Sequence, residues 1–263
     1  MYSDKVSFDK FYTKQSVSKM CIEYIDIPSY DFIIEPSAGN GSFFNNINHH
    51  NKIGLDLEPE NDGIIKQNWF DYSINPSYSN VLVIGNPPFG KRNKLSKDFI
   101  KHSMSFNNVS TVAFILPNVY NKHTNQSIIN NEYRIKDVIS LPKNSFIVNG
   151  IDYDIPCSFY VFDKSVGIDL RFDPTLYKES IHWIYGTKND YDFFVMGASA
   201  NTIKDKPNEN NRGYYIKVKS NFNKNHIQDK FIHGNWVGHS SCSGGVNWLS
   251  KPELVKLYNE QYQ

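Results

Sequence analysis

The sequence predicts an α/β fold: a mostly parallel sheet with helices between its strands, followed by a small α+β appendage. Three observations predict it. Short, apolar, β-rich runs recur through the first 165 residues, each stopping at a Gly, a Pro or an acid. Stretches between the runs carry helical spacing. The chemically distinctive residues fall directly after the runs, where an open α/β sheet presents its ligands.

The elements follow in order. Phe32-Ile33-Ile34 ends at Glu35, Lys52-Ile53-Gly54-Leu55 at Asp56, Val81–Ile84 at Gly85 and Val112–Leu116 at Pro117. Continuous apolar runs of this length suit strands buried on both faces. Ser96–Ser105 reads as a helix with Phe99, Ile100 and Met104 on one face. Ser158–Phe162 reads as an added antiparallel strand that closes the region. Beyond about Lys164 come shorter strand-like pieces, Ile181–Tyr185, Asp192–Met196 and Tyr214–Val218, separated by polar loops. Ser250-Lys251-Pro252-Glu253 is a capping-box start for a helix over Glu253–Tyr262. The expected division is a larger domain over residues 1–165 and an appendage over 166–263.

Composition narrows the function classes. With 28 Lys+Arg against 27 Asp+Glu the net charge is +1, so a nucleic-acid footprint must be local. Hydrophobic residues at 40% and aromatics at 15% supply a core and exclude wholesale disorder. No apolar run approaches the roughly 18 residues of a membrane span, and the N-terminal stretch Met1–Lys10 is polar, unlike a signal peptide. The expectation is a protein of the cytoplasm, nucleoid or nucleus, not secreted and with no membrane partner. Cys21, Cys157 and Cys242 are odd in number and far apart, and His49, His50, His182, His226, His233 and His239 lack ligand spacing. That argues against a disulfide framework or a metal site, and for a reducing compartment. The abundance of Asn beside Lys, Ile, Tyr and Phe reads as AT-biased coding.

The sharpest chemical feature is Gly85-Asn86-Pro87-Pro88-Phe89-Gly90, directly after a buried strand. The prolines stiffen the backbone and leave it rich in acceptors. Together the Asn86 side-chain oxygen and the Pro87 carbonyl are able to accept both hydrogens of a planar exocyclic amine, with Phe89 stacked on the ring that bears it. Accepting those hydrogens turns the nitrogen lone pair toward an electrophile. Taken alone, the segment also reads as a Pro-rich turn with a core Phe. It has company, however. Glu35-Pro36-Ser37-Ala38-Gly39-Asn40-Gly41-Ser42-Phe43 follows the first strand; Gly39 and Gly41 let backbone approach a ligand, and a helix N-terminus is expected next. At the tip of the following strand Asp56 is placed to accept ribose hydroxyls.

In this order the motifs resemble the S-adenosylmethionine-dependent N6-adenine methyltransferases, in the arrangement of the gamma-class DNA enzymes, across roughly residues 9–165. Phe11-Tyr12-Thr13 resembles their N-terminal methionine-binding motif, and Glu35, Pro36, Ala38, Gly39 and Gly41 their glycine loop, with Glu where Asp is commoner. Asp56 and the adjoining Leu57 match the ribose-binding position, and Asn86, Pro87, Pro88 and Phe89 the catalytic tetrapeptide. Asn68 and Phe70 stand where the family often has Asp-Phe or Asp-Leu around the cofactor adenine. The resemblance implies a Rossmann-like class I methyltransferase fold, S-adenosylmethionine as cofactor, and direct methyl transfer to the N6 amine of a flipped-out adenine, without a metal.

Under that resemblance Phe146, after Leu141-Pro142-Lys143, is a second candidate ring contact or an ordinary core Phe. Lys91 and Arg92, with Lys94 and Lys97, suit phosphates flanking the target base or a solvated face. Between residues 204 and 230, Lys204, Lys206, Arg212, Lys217, Lys219, Lys224 and Lys230 face three acids, with Tyr214, Tyr215 and Phe222 interleaved: a second candidate nucleic-acid surface. Gly197–Asn201 and Ser240–Gly245 read as Gly/Ser-rich loops. DNA is the expected partner, in a phage- or virus-like style of enzyme. The small appendage fits a short recognition site, loose specificity, or a protein partner or homodimer. An RNA adenosine methyltransferase is the nearest alternative. A glutamine-amide methyltransferase, which typically carries Tyr in place of Phe89, and a non-catalytic subunit stand further off.

Overall fold

The structure is a computed structural model that describes residues 10–236 and 248–262. Most of the polar N-terminal stretch, His239, Cys242 and the Ser240–Gly245 loop lie outside the described residues. Among the described residues fourteen strands and five α-helices follow in order. The strands are β1 (Tyr12–Thr13), β2 (Phe32–Glu35), β3 (Lys52–Asp56), β4 (Ile64–Lys66), β5 (Val81–Gly85), β6 (Val109–Pro117), β7 (Arg134–Ser140), β8 (Phe146–Val148), β9 (Ile151–Tyr153), β10 (Cys157–Asp163), β11 (Trp183–Tyr185), β12 (Phe193–Met196), β13 (Ser199–Lys204) and β14 (Gly213–Val218). The helices are α1 (Gln15–Glu23), α2 (Lys94–Ser105), the single turn α3 (His123–Gln126), α4 (Lys224–His233) and α5 (Lys251–Tyr262). The chain forms two compact units: Met1–Tyr120 with Asn125–Arg171, and Asn121–Thr124 with Phe172–Gln263.

The first unit is built on a seven-stranded sheet of order β4-β3-β2-β5-β6-β10-β7. β4, β3, β2, β5 and β6 run parallel, and β10 lies antiparallel between β6 and β7. This is the Rossmann-like sheet the sequence led us to expect, with its one reversed strand interior and not at the edge. Alternate residues of the apolar runs feed opposite faces. Ile34, Val81, Val83, Val112 and Phe114 pack with Phe99, Ile100 and Met104 of α2. Ile33, Leu82, Ile84, Ala113 and Ile115 pack with Val17 and Cys21 of α1. Both faces are dry, which is why the runs are continuous and do not alternate. The chain order reverses between β2 and β5, so the ends of those two strands open a crevice suited to a ligand. A small antiparallel sheet, β1-β8-β9, stands beside it.

The helix expected after the glycine loop does not form. Residues 39–46 make successive turns in which Gly41 sits at φ +84°. Asn46 Nδ2 donates to the Ser42 carbonyl, so the side chain competes for the carbonyl group a helix would use. The segment is held from outside instead: the Phe44 N–H donates to Glu35, and Lys52 Nζ donates to the Phe44 and Ile47 carbonyls.

The second unit is a four-stranded antiparallel sheet, β11-β14-β12-β13, whose core joins Trp183, Phe193 and Ile216 to Phe231 of α4 and Tyr258 of α5. Gly197–Asn201, read as a loop, instead turns into β13. Half of the expected capping box is present at α5: the Ser250 N–H donates to the Glu253 carboxylate at 2.8 Å, and the Ser250 hydroxyl donates to the same carboxylate at 2.7 Å. Among the described residues no helix is long and apolar enough to cross a membrane.

Candidate cofactor and amine site

A cleft of about 260 Å³ opens at the ends of β2, β3 and β5. It gathers, from five separate stretches of chain, Phe11, Tyr12 and Thr13; Glu35, Pro36, Ala38 and Gly39; Asp56 and Leu57; Asn68 and Phe70; and Asn86, Pro87, Pro88 and Phe89.

Each side chain has a local reason for its place. Gly39, at φ +50°, turns the chain out of β2, and its N–H donates to Asp56 Oδ2 at 2.7 Å. Asp56 Oδ1 accepts from the Glu58 N–H at 2.8 Å, so the carboxylate is held by backbone on both oxygens. Glu35 is buried beneath the loop, and desolvation pushes its carboxyl well above the ordinary carboxylate range, against the pull of the Phe44 N–H. Gly85 leaves β5 at φ +151°, where a Cβ would stand 3.1 Å from Glu35 Cγ. Asn86 follows. Its Nδ2 donates to the Phe11 carbonyl at 3.0 Å, and the Ser37 hydroxyl donates to its backbone carbonyl at 3.2 Å. Its Oδ1 is buried and has no hydrogen-bond partner. Oγ1 of Thr13, another residue of the cleft lining, is likewise buried and unpartnered. The Phe89 ring lies 6.1 Å from that of Phe11, the planes 22° apart. Asn68 caps the turn Trp69–Asp71 by accepting the Phe70 N–H, and its Nδ2 donates to Asp71.

Four expected contacts fall elsewhere. Gly41 supports the loop from behind; a Cβ there would meet the Asn45 side chain at 2.7 Å. Phe146 is fully buried and edge-on to Phe11 at 6.3 Å; it lies on β8, paired beside β1 opposite Thr13. It is a core residue and does not line the cleft. Lys91 and Arg92 are exposed on the turn after Gly90 and do not line the cleft either. Arg92 and Asn93 both have positive φ, 54° and 58°, which bends the chain sharply before α2. In the second unit Lys217, Lys219 and Lys224 are paired with Asp190, Glu179 and Asp205, so the basic stretch is partly neutralised internally. Among the described residues no His/Cys/Asp/Glu cluster is arranged to hold a metal.

The cleft also contains residues that the motifs passed over: Lys10, Glu58, Glu60 and Gln67. The alternation Asp56-x-Glu58-x-Glu60 was the signal available for two of them. Leu95 and Phe99 reach it from α2.

No protein-family model matches the chain, and no curated protein matches it. Among solved structures it is similar to a modification subunit assigned to a type I restriction enzyme from Vibrio vulnificus YJ016, at 14% identity and TM-score 0.45, over 61% of this chain and 46% of that one. It thus spans under half of that subunit. It is also similar to the 23S rRNA methyltransferase ErmE, at 8% identity and TM-score 0.48, over 64% of this chain and 74% of that one. A third likeness is to a protein assigned as an RNA methyltransferase from Pyrococcus horikoshii, at 14% identity and TM-score 0.44, over 63% and 90% of the two chains. At these identities function has to be argued from the site's own residues.

Proposed function

We propose that this protein is an S-adenosylmethionine-dependent methyltransferase acting on the exocyclic N6 amine of adenine in DNA. The observation that carries the reading is the state of Asn86. Its amide donates to the Phe11 carbonyl, which fixes Oδ1 as a buried acceptor without a partner, in a residue that lines the cleft. A buried, unpaired acceptor costs free energy, on the order of 1–3 kcal/mol, unless a ligand donates to it. Together with the Pro87 carbonyl it accepts the two amine hydrogens of the target base and turns the nitrogen lone pair outward. Phe89 stacks on the flipped base, a contact worth about 1–3 kcal/mol.

The cleft fits the cofactor on its own terms. Thr13 Oγ1 awaits a partner beside the glycine loop. Each Asp56 oxygen has accepted one backbone N–H, and a carboxylate has about four lone-pair sites, so capacity remains for ribose hydroxyls. Asn68 and Phe70 border the adenine end, and Phe11–Thr13 the methionine end. When bound, S-adenosylmethionine supplies an electrophilic methyl group. The protein's residues hold and orient the nitrogen that attacks it, and the amine proton is lost afterwards.

DNA is favoured because the Phe11–Thr13 element ahead of the glycine loop, and a further unit after it, resemble the DNA enzymes. The test is transfer of labelled methyl to matched unmethylated DNA and RNA pools, followed by nucleoside digestion. Label in N6-methyldeoxyadenosine supports the reading. Label in RNA alone, with dependence on the 2′-hydroxyl, replaces DNA by RNA as substrate. Label in neither pool overturns it.

A further inference from the structure

The segment Lys10–Thr13 lines the cleft along its whole length, and the residue that ties it down has no role in the motif resemblance. At one end β1 pairs with β8, Tyr12 opposite Ile147 and Thr13 opposite Phe146. On the other side Lys10 Nζ lies 3.1 Å from Glu58 and 2.8 Å from Glu60, and the Tyr12 hydroxyl donates to Glu60. Glu60 is itself anchored on the glycine loop, its N–H donating to the Gly39 carbonyl at 3.1 Å. Between these ties sits Phe11, whose carbonyl accepts from Asn86 Nδ2 and whose ring stacks loosely on Phe89. The chain of contacts therefore runs from Glu60 through Tyr12 and Lys10 to the Phe11 carbonyl, and from there to the amide of Asn86.

We propose that Glu60 is a positioning residue: by clipping the Lys10–Thr13 strap to the glycine loop it sets the Phe11 carbonyl, and through it the orientation of the Asn86 amide. Glu60 touches neither reacting atom. An exposed ion pair contributes little to stability. Its consequence here is order, because a free strap leaves the Asn86 amide to rotate and to offer a donor where the reaction needs an acceptor. Occupation of the cleft between strap and glycine loop and preparation of the amine acceptor then become one event. This consequence rests on the methyltransferase reading of the cleft; the linkage from Glu60 to Asn86 does not.

The two are separated by one experiment on the full chain. The solvent exchange rate of the Asn86 side-chain amide is followed by NMR on nitrogen-labelled protein without cofactor, its resonance assigned by its loss in Asn86→Asp. Glu60→Ala should speed that exchange by about tenfold, as local opening does. Glu60→Gln keeps an acceptor for the Tyr12 hydroxyl and should fall between Ala and wild type. The melting temperature should hold, since the Glu60 side chain is 41% exposed. Methyl transfer at saturating cofactor should decline in the same order. Unchanged Asn86 exchange in Glu60→Ala overturns the proposal, whatever the transfer assay gives. Faster exchange in a protein that transfers no methyl group upholds the Glu60–Asn86 linkage and overturns the methyltransferase reading instead.

Discussion

Asn86 and Glu35 show how few atoms give the cleft its chemistry. Asn86 is useful because one end of its amide is already engaged, so the other end is fixed as an acceptor. Removing it should cost the turnover step and spare the cofactor. Glu35 sits under the same cleft, and its burial raises its carboxyl pKa above the ordinary 4.5. The folded protein therefore keeps this proton to higher pH than the unfolded chain does. Its stability falls as pH rises from about 4.5 toward the folded value, since the unfolded state ionises first. Glu35→Gln keeps an oxygen for the Phe44 N–H and cannot ionise. Its melting temperature should rise relative to wild type as the pH is raised above about 4.5. Parallel pH curves for the two proteins would refute the assignment of a strained, buried acid.

At the level of elements, the link from β5 to the tetrapeptide is the most demanding piece of backbone. Gly85→Ala puts a Cβ at φ +151° and 3.1 Å from Glu35 Cγ, so it should destabilise the fold by about 1–3 kcal/mol, measured by denaturant unfolding. A neutral effect would mean the β5 exit is looser than described. The parallel strands were legible in the sequence because burial on both faces demands unbroken apolar runs, as in Val81–Ile84. β7 was not, since only Ile135 of its seven residues is fully buried. Nor was β13, whose Ser199–Lys204 carries polar side chains at an edge. α4 escaped notice because only Ile227 and Phe231 mark its inner face. The tetrapeptide, glycine loop and strand-tip acid were readable as motifs because each directly follows a strand. Gln67 was not, because it follows β4, a strand of three residues with one buried side chain that leaves no apolar run to read. For Phe146 the resemblance left a ring contact and an ordinary core Phe both open, and strand pairing takes it into the core.

For the whole molecule, the charge balance bears on the proposed function. The net charge is +1, and three of the seven basic residues between 204 and 230 are paired with acids. Under the proposed function the protein should make few phosphate contacts. The slope of log affinity against log salt should be shallow, with a magnitude below about 4, by fluorescence anisotropy between roughly 50 and 200 mM salt. A slope twice as steep would mean that a much larger basic surface is engaged. The central claim is that the cleft at the ends of β2, β3 and β5 binds the methyl donor and that Asn86 acts on the amine alone. Its most direct test pairs calorimetric cofactor binding with single-turnover methyl transfer, for wild type and Asn86→Ala. The account predicts cofactor affinity within about threefold of wild type and transfer reduced by about a hundredfold or more. Transfer that survives in Asn86→Ala at the wild-type rate would contradict it.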